Sequence, residues 1–422
     1  MKIAGGMLQR AVVGVASVLG VLCSAGTAAG RPTLDVRVDC AAGQTIAHAL
    51  GVGNERHALR VTVMGQCNEN VSIARDDVTL EGDSVIGGVV SGPDSSSDTI
   101  RITGSRVTVR ALTVTGGRNG LLGAGARGMT VQECVVRSTG RSGVVFFQGA
   151  SGTVDRCTIQ HNPRDGIVIE SASATVTNGT IAQNARVGIV VADGGSGRIG
   201  VNDLNAAEGN LITDNGSTGL HITIGSTAFV GGNTISGNGT NRAAPLGRFG
   251  IGVFNSSADI IGSNIIAGNA NHGIFARSAT LLIGDPGFDF SSVNTITGNG
   301  TALPGAGIFA FVGTSAVIRN AAVSGNFGFG VVLSLRSSAQ MAGNTIQNNT
   351  AGVSASGDGI RLALGAGLFI EAPPAAANTV TGNSGFGVNC TDGETSVVNT
   401  TLLVLAPPSN GMGGVSPACT GF

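Results

Sequence analysis

"NTISGN" at residues 233–238 returns as "NTITGN" at 294–299 and "NTIQNN" at 344–349. Placing the central Ile or Val of Asn-x-Ile-x-x-Asn in one column extends the set along the chain. Its members are Val114, Val136, Ile159, Ile181, Ile212, Ile235, Ile266, Ile296, Val323, Ile346 and Val380. Successive members stand 22 or 23 residues apart, or 27 to 34 where an insertion intervenes. A period of this length marks a solenoid, in which each unit is too small to bury its own apolar face and stacks on the next.

Two asparagine columns share the register. Three residues after the apolar column stand Asn162, Asn184, Asn215, Asn238, Asn269, Asn299, Asn326, Asn349 and Asn383. Two residues before it stand Asn210, Asn233, Asn264, Asn294, Asn344 and Asn378. Further on comes a glycine-led run, as in "GIVI" at 166–169, "GIVV" at 188–191 and "GLHI" at 219–222. Short alternating runs of Ile and Val are strands, and no helical period competes with them. Asparagine tolerates the left-handed backbone of a tight corner. Stacked at the ~4.8 Å spacing of neighbouring strands, such columns can hydrogen-bond from rung to rung. The glycine supplies a second bend.

The pattern N-x-I-x-x-N…G-I-x-I resembles the right-handed parallel β-helix repeat proteins, the pectate-lyase-like superfold, over about residues 60–400. The resemblance implies an all-β solenoid of about a dozen coils. It implies no single activity, because the superfold hosts lyases, hydrolases, epimerases, adhesins and spikes.

The N-terminus reads as an export signal over 1–29: Lys2 and Arg10, the apolar run "AVVGVASVLGVLCSAG", then small residues for cleavage near Ala28 or Ala29. Residues 30–75 are expected to form an N-terminal cap with a short helix and the first strands, 76–405 the solenoid, and 406–422 a tail. Caps are required because an open solenoid end exposes core and strand edges. No later apolar run is long enough to span a membrane. Removing the signal leaves six cysteines, an even number suited to an oxidising compartment. The repeat register favours Cys40 with Cys67, Cys134 with Cys157, and Cys390 with Cys419. The chain is thus expected to be secreted, periplasmic or on a cell surface.

Net charge is −1 and only 12% of residues are charged, so bulk electrostatics names no partner and gives no nucleic-acid signature. Against that background one column stands out. Arg118, Arg141, Arg164 and Arg186 lie two residues before the glycines of successive coils, and Arg248 returns to the column after a gap. Like charges ~5 Å apart repel by about 1 kcal/mol in water. The functional reading is a basic stripe for an acidic polysaccharide. The plain reading is that these arginines splay into solvent or pair with Asp155, Asp165, Glu170 and Asp193. Two residues after the same glycines stand Leu122, Val145, Val168, Val190, His221, Gly252, Phe275 and Phe309. Strand alternation turns this mostly apolar column away from the core. It offers a surface for a protein partner, or is covered by loops or the tail.

For catalysis the candidates are His161, His221 and Arg164, with His161 beside Arg164 and Asp165 in "QHNPRDG". No His or Cys spacing fits zinc, and no glycine-rich stretch has the context of a P-loop or dinucleotide site. The carboxylates Asp203, Glu208, Asp285 and Asp289 leave open a calcium site at one loop and no other cofactor. Among enzymes of the superfold, polygalacturonase-like hydrolases carry Asn-Thr-Asp, Gly-His-Gly and Arg-Ile-Lys motifs. Alginate epimerases and lyases carry Asp-Pro-His-Asp with a tyrosine. None of these motifs is present, the only lysine is Lys2, and there is no tyrosine or tryptophan. The expectation is a non-catalytic surface, binding or structural module. The alternative is a lyase-type enzyme on a uronate-containing glycan.

Overall fold

The computed structural model describes residues 32–419 apart from 54–55, 242–246, 285–292, 353–354, 372–375, 393–395, 399–402 and 406–408. The segment read as an export signal lies outside the described residues.

Each coil is built from three short strands. In one coil these are Thr158–Gln160, Ile167–Glu170 and Ser173–Thr177. The next repeats them as Thr180–Ala182, Ile189–Ala192 and Ser196–Ile199. The two coils pair in parallel and in register, Ile159 with Ile181, Ile167 with Ile189 and Val176 with Ile199. Repeating this pairing gives three parallel sheets wound about one axis. The sheet of glycine-led strands has fourteen members among the described residues, from Val71–Ile73 to Gly413–Val415. The chain is therefore the parallel β-helix that the repeat implies.

The Asn-x-Ile strand and the glycine-led strand were legible from the repeat, and the third strand was not. Its inward residues are Ala174 and Val176, Ala228 and Val230, Ala258 and Ile260, Leu281 and Ile283, all buried. The repeat column points into the core from one of the three sheets. Ile159, Ile181, Ile212, Ile235, Ile266, Ile296, Val323 and Ile346 are all buried. Each such side chain contributes roughly 2 kcal/mol by leaving water.

The asparagines stack inside the solenoid. Nδ2 of Asn162 donates to Oδ1 of Asn184 at 2.9 Å, Asn184 to Asn215 at 3.0 Å, and Asn215 to Asn238 at 3.0 Å. The ladder continues through Asn269, Asn299, Asn326, Asn349 and Asn383 to Asn410. Asn410 escaped the sequence pattern because no Asn-x-Ile precedes it. A second ladder joins Asn210, Asn233, Asn264 and Asn294, is interrupted at Ala321, and resumes from Asn344 to Asn378. The ladder asparagines do not take up the left-handed backbone expected of them. The left-handed residue at this corner is the one before the ladder, as at His161, Gln183, Asp214 and Gly237. The asparagines are retained for their amides, which join neighbouring rungs in a water-free site where an unpaired group would be costly.

Two of the three expected cystine bridges are present, Cys40–Cys67 and Cys390–Cys419. Cys134 and Cys157 are instead free, buried thiols. They stand on adjacent rungs, and each thiol bonds to main-chain carbonyls, Cys134 to those of Val109 and Gln132 and Cys157 to those of Val131 and Asp155. They act as the second ladder does. The Cys157 thiol lies 3.4 Å from the Val131 carbonyl, as the Asn210 amide lies 2.8 Å from the Val176 carbonyl on a later rung. Its hydrogen bonding with Cys134, together with burial, pushes the Cys157 thiol far above the ordinary thiol range.

The N-terminal end is closed by the helix Ile46–Leu50, whose Ile46 and Ala49 are buried. Thr45 caps the helix, and the Glu69 carboxylate accepts the N–H groups of Ile46 and Ala47 at 2.6 and 3.0 Å. At the far end Gly413–Val415 adds a rung to Phe386–Cys390, next to the Cys390–Cys419 bridge.

Candidate functional site

Period-two alternation decides which side chains of the glycine-led strands reach the surface. Ile167 and Ile169 point into the core, so Val168 and Glu170 point out. Register then aligns Leu122, Val145, Val168, Val190 and His221 as one outward column. The corner ahead of these strands carries Arg118, Arg141, Arg164 and Arg186. Main-chain bonds fix the stacking of that corner. Arg164 N–H donates to the Arg141 carbonyl and Arg186 N–H to the Arg164 carbonyl, each at 2.9 Å.

The arginine column and the apolar column are therefore the wall and the floor of one groove of about 510 Å³. Phe147, Gln148, Glu170 and Thr223 stand along its other side, and Arg101 extends the floor column by one rung. The sequence showed two unrelated stripes. The corner between them folds both onto a single face.

Of the four stacked arginines, only Arg186 has an ion-pair partner among the described residues, with Nε 3.7 Å from Oδ1 of Asp165. Asp155, offered above as a partner, pairs instead with Arg156. Arg118 is exposed, and Arg141, Arg164 and Arg186 are half-buried. Asp165 is itself buried and accepts the Val187 N–H at 3.2 Å. Burial holds its carboxyl above the ordinary range, against the pull of Arg186.

His221 closes this part of the floor. It is buried, and its Nδ1 has no hydrogen-bond partner. Burial, reinforced by the nearby Arg186 charge, pushes its pKa down to about 4, so the ring is neutral at pH 7. It packs against Phe254 with ring centroids 4.9 Å apart.

Other expected residues lie elsewhere. Arg248 keeps its place in the backbone column, but its Nε donates to the Gly239 carbonyl at 2.8 Å and it does not line the groove. His161 occupies the left-handed corner position, exposed, beside a separate depression lined by Gln183, Asp214 and Asn241. Arg164 and His161 are thus divided between two surfaces. Asp203 accepts from Thr175 at 3.3 Å, and Glu208 from Asn202 at 2.8 Å. Asp285 and Asp289 lie outside the described residues. Among the described residues, no group of three or more His, Cys, Asp or Glu could hold a metal ion. Nor is any helix among them long and apolar enough to cross a membrane.

The sequence matches the family described as "right handed beta helix region" over residues 50–205, 174–285 and 283–402. The chain belongs to that family, a right-handed parallel β-helix built from the coils described above. No curated protein matches the sequence. Among solved structures it is similar to pectate lyase Pel9A, at 12% identity and TM-score 0.38, covering 68% of this chain and 78% of that one. It is also similar to the A-module of the mannuronan C-5 epimerase AlgE4 of Azotobacter vinelandii, at 17% identity and TM-score 0.38, covering 89% and 92%. The catalytic domain of a GH87 α-1,3-glucanase matches at 13% identity and TM-score 0.37, covering 91% and 67%.

Proposed function

We propose that the groove binds a linear acidic polysaccharide lying along the solenoid axis, and that the protein is an exported, non-catalytic binding module. One observation carries this reading. A single arginine per rung stands beside an apolar floor, and three of the four have no ion pair within the protein among the described residues. The rung pitch of ~4.8 Å is close to the length of one pyranose ring, so successive carboxylates can meet successive guanidinium groups. The apolar floor receives the C–H faces of the sugars. Half-burial of Arg141 and Arg164 raises the effective strength of each contact over that of a fully solvated charge. Export is supported by the two disulfides and the N-terminal signal pattern.

A second reading rests on His221. A neutral imidazole with an unpartnered Nδ1, in the same groove as Arg186, has the parts for β-elimination on a uronate. Nδ1 would take the C5 proton as the C4–O bond breaks, with Arg186 neutralising the carboxylate. The leaving oxygen would take its proton from solvent, and the product would carry a C4=C5 double bond.

Incubating the mature protein with polygalacturonate, alginate and neutral glucan separates the two. Retention on the acidic polymers without release of unsaturated ends is expected. Release of unsaturated ends, abolished by His221→Ala, would replace the first reading with the second.

A further inference from the structure

The outward strand column that floors the groove does not stop at His221. It runs on in register through Gly252, Phe275 and Phe309 to Val332 and Arg361. Aromatic rings line this continuation. His221 meets Phe254 at 4.9 Å between centroids, Phe254 meets Phe275 at 5.4 Å, and Phe275 meets Phe309 at 5.6 Å. Gly252 allows the row to close, since a Cβ there would stand 3.0 Å from the Phe254 ring and 3.5 Å from Nδ1 of His221. Beyond lies a second hollow of about 580 Å³, with His272, Phe309 and Phe329 in its lining. The Arg361 guanidinium sits over the Phe329 ring at 4.9 Å.

Two buried polar atoms along this path have no partner. One is Nδ1 of His221, the last floor residue of the arginine groove, and the other is Oδ1 of Asn271, a residue of the second hollow's lining. Buried groups left unpaired are costly, and a hydroxyl satisfies either one.

We propose that the arginine segment and the aromatic segment form one track, occupied by a single uronate chain long enough to lie along both. This rests on the reading of the arginine groove given above. The continuous register gives the chain the same pitch in both segments. Over the arginines it is held by its carboxylates. Over the rings it is held by its apolar C–H faces, with its hydroxyls on His221 and Asn271 and a carboxylate near Arg361.

The test uses two uronate oligomers with the mature protein in titration calorimetry. The short one spans only the arginine rungs, and the long one reaches the second hollow. The long oligomer is expected to bind about tenfold more tightly than the short one, an aromatic contribution of ordinary size. Phe309→Ala and the milder Phe275→Leu, which keeps an apolar side chain, should bring the long oligomer back toward the short one and leave the short one unchanged. Equal binding of both oligomers by the unaltered protein would overturn the track and leave the arginine groove standing. Silence with both would overturn the two readings together. Binding of a long neutral glucan that depends on the phenylalanines and not on the arginines would overturn the single-chain occupant.

Discussion

Nε of Arg186 lies 3.7 Å from Oδ1 of the buried Asp165, and this is the one ion pair in a column of four stacked arginines among the described residues. Arg118, Arg141 and Arg164 keep their charge facing the groove. The column is thus anchored at one rung and open at three. Arg186 combines two roles, since its removal takes a charge from the groove and also strips a buried carboxylate of its nearest cation. Arg186→Gln should therefore lower thermal stability more than Arg141→Gln, whose charge also acts on Asp165, and Arg164→Gln should leave it unchanged. Melting curves of the three variants check this.

The asparagine ladder gives a sharper stability prediction. Asn238 accepts from both the side chain and the N–H of Asn215, and donates to Asn269 and to the Ile212 carbonyl. Asn238→Ala leaves several of these fully buried groups unpaired, at a cost of about 3 kcal/mol or more. Chemical denaturation should show that loss. A change within about 0.5 kcal/mol, the usual range for surface substitutions, would show that the ladder is not stabilising.

The buried thiols of Cys134 and Cys157 should resist alkylation in the native protein and react once it is denatured, with peptide mapping as the readout. Asparagine fills the same position on later rungs, as at Asn210 and Asn233. Cys157→Asn should therefore fold with stability close to that of the parent, whereas Cys157→Asp places an unpaired charge in the interior and should not. A mapped Cys134–Cys157 bridge would contradict the free-thiol assignment.

Acid should weaken the fold through two histidines. Burial pushes His221 down to about 4 and His272 to about 3, both below the ordinary 6.5. Between those values the unfolded chain binds more protons than the native one, so stability falls as pH drops from 6.5 toward 4. For His221 a shift of this size corresponds to about 3 kcal/mol once the group is fully protonated. His221→Phe should shrink the fall in melting temperature between neutral and acidic buffer. Asp165 works in the opposite sense. Its carboxyl is held up by burial, so its stabilising share is present at low pH and is lost as pH rises through its folded value. Asp165→Asn should flatten that limb of the profile.

Much of the fold was legible because a solenoid repeats its reasons. Ile159, Ile181 and Ile212 share a column since each fills the same place in a stacked coil. The third strand was missed because its outward positions follow no rule, with Thr175, Arg198, Phe229 and Asp259 on successive rungs. Only its alternate apolar pair, such as Ala174 with Val176, could have shown it. The cysteine pair was misread because a spacing of one coil fixes proximity and says nothing of whether the thiols join each other or the main-chain carbonyls beside them. At the site, the spacing of the arginines was plain. What local sequence could not show is how a corner turns: it folds Arg164 and Val168 onto one groove, and sends His161 to another surface and the Arg248 side chain to the Gly239 carbonyl.

The central claim is that stacked arginines on successive rungs hold an acidic chain. It is tested most directly by measuring affinity for immobilised polygalacturonate across a salt series while Arg118, Arg141 and Arg164 are replaced by Gln one after another. The account predicts that each replacement weakens binding and flattens its salt dependence, as expected when screened charge–charge contacts are removed stepwise. Binding unchanged by all three replacements, or no binding at low salt, would contradict it.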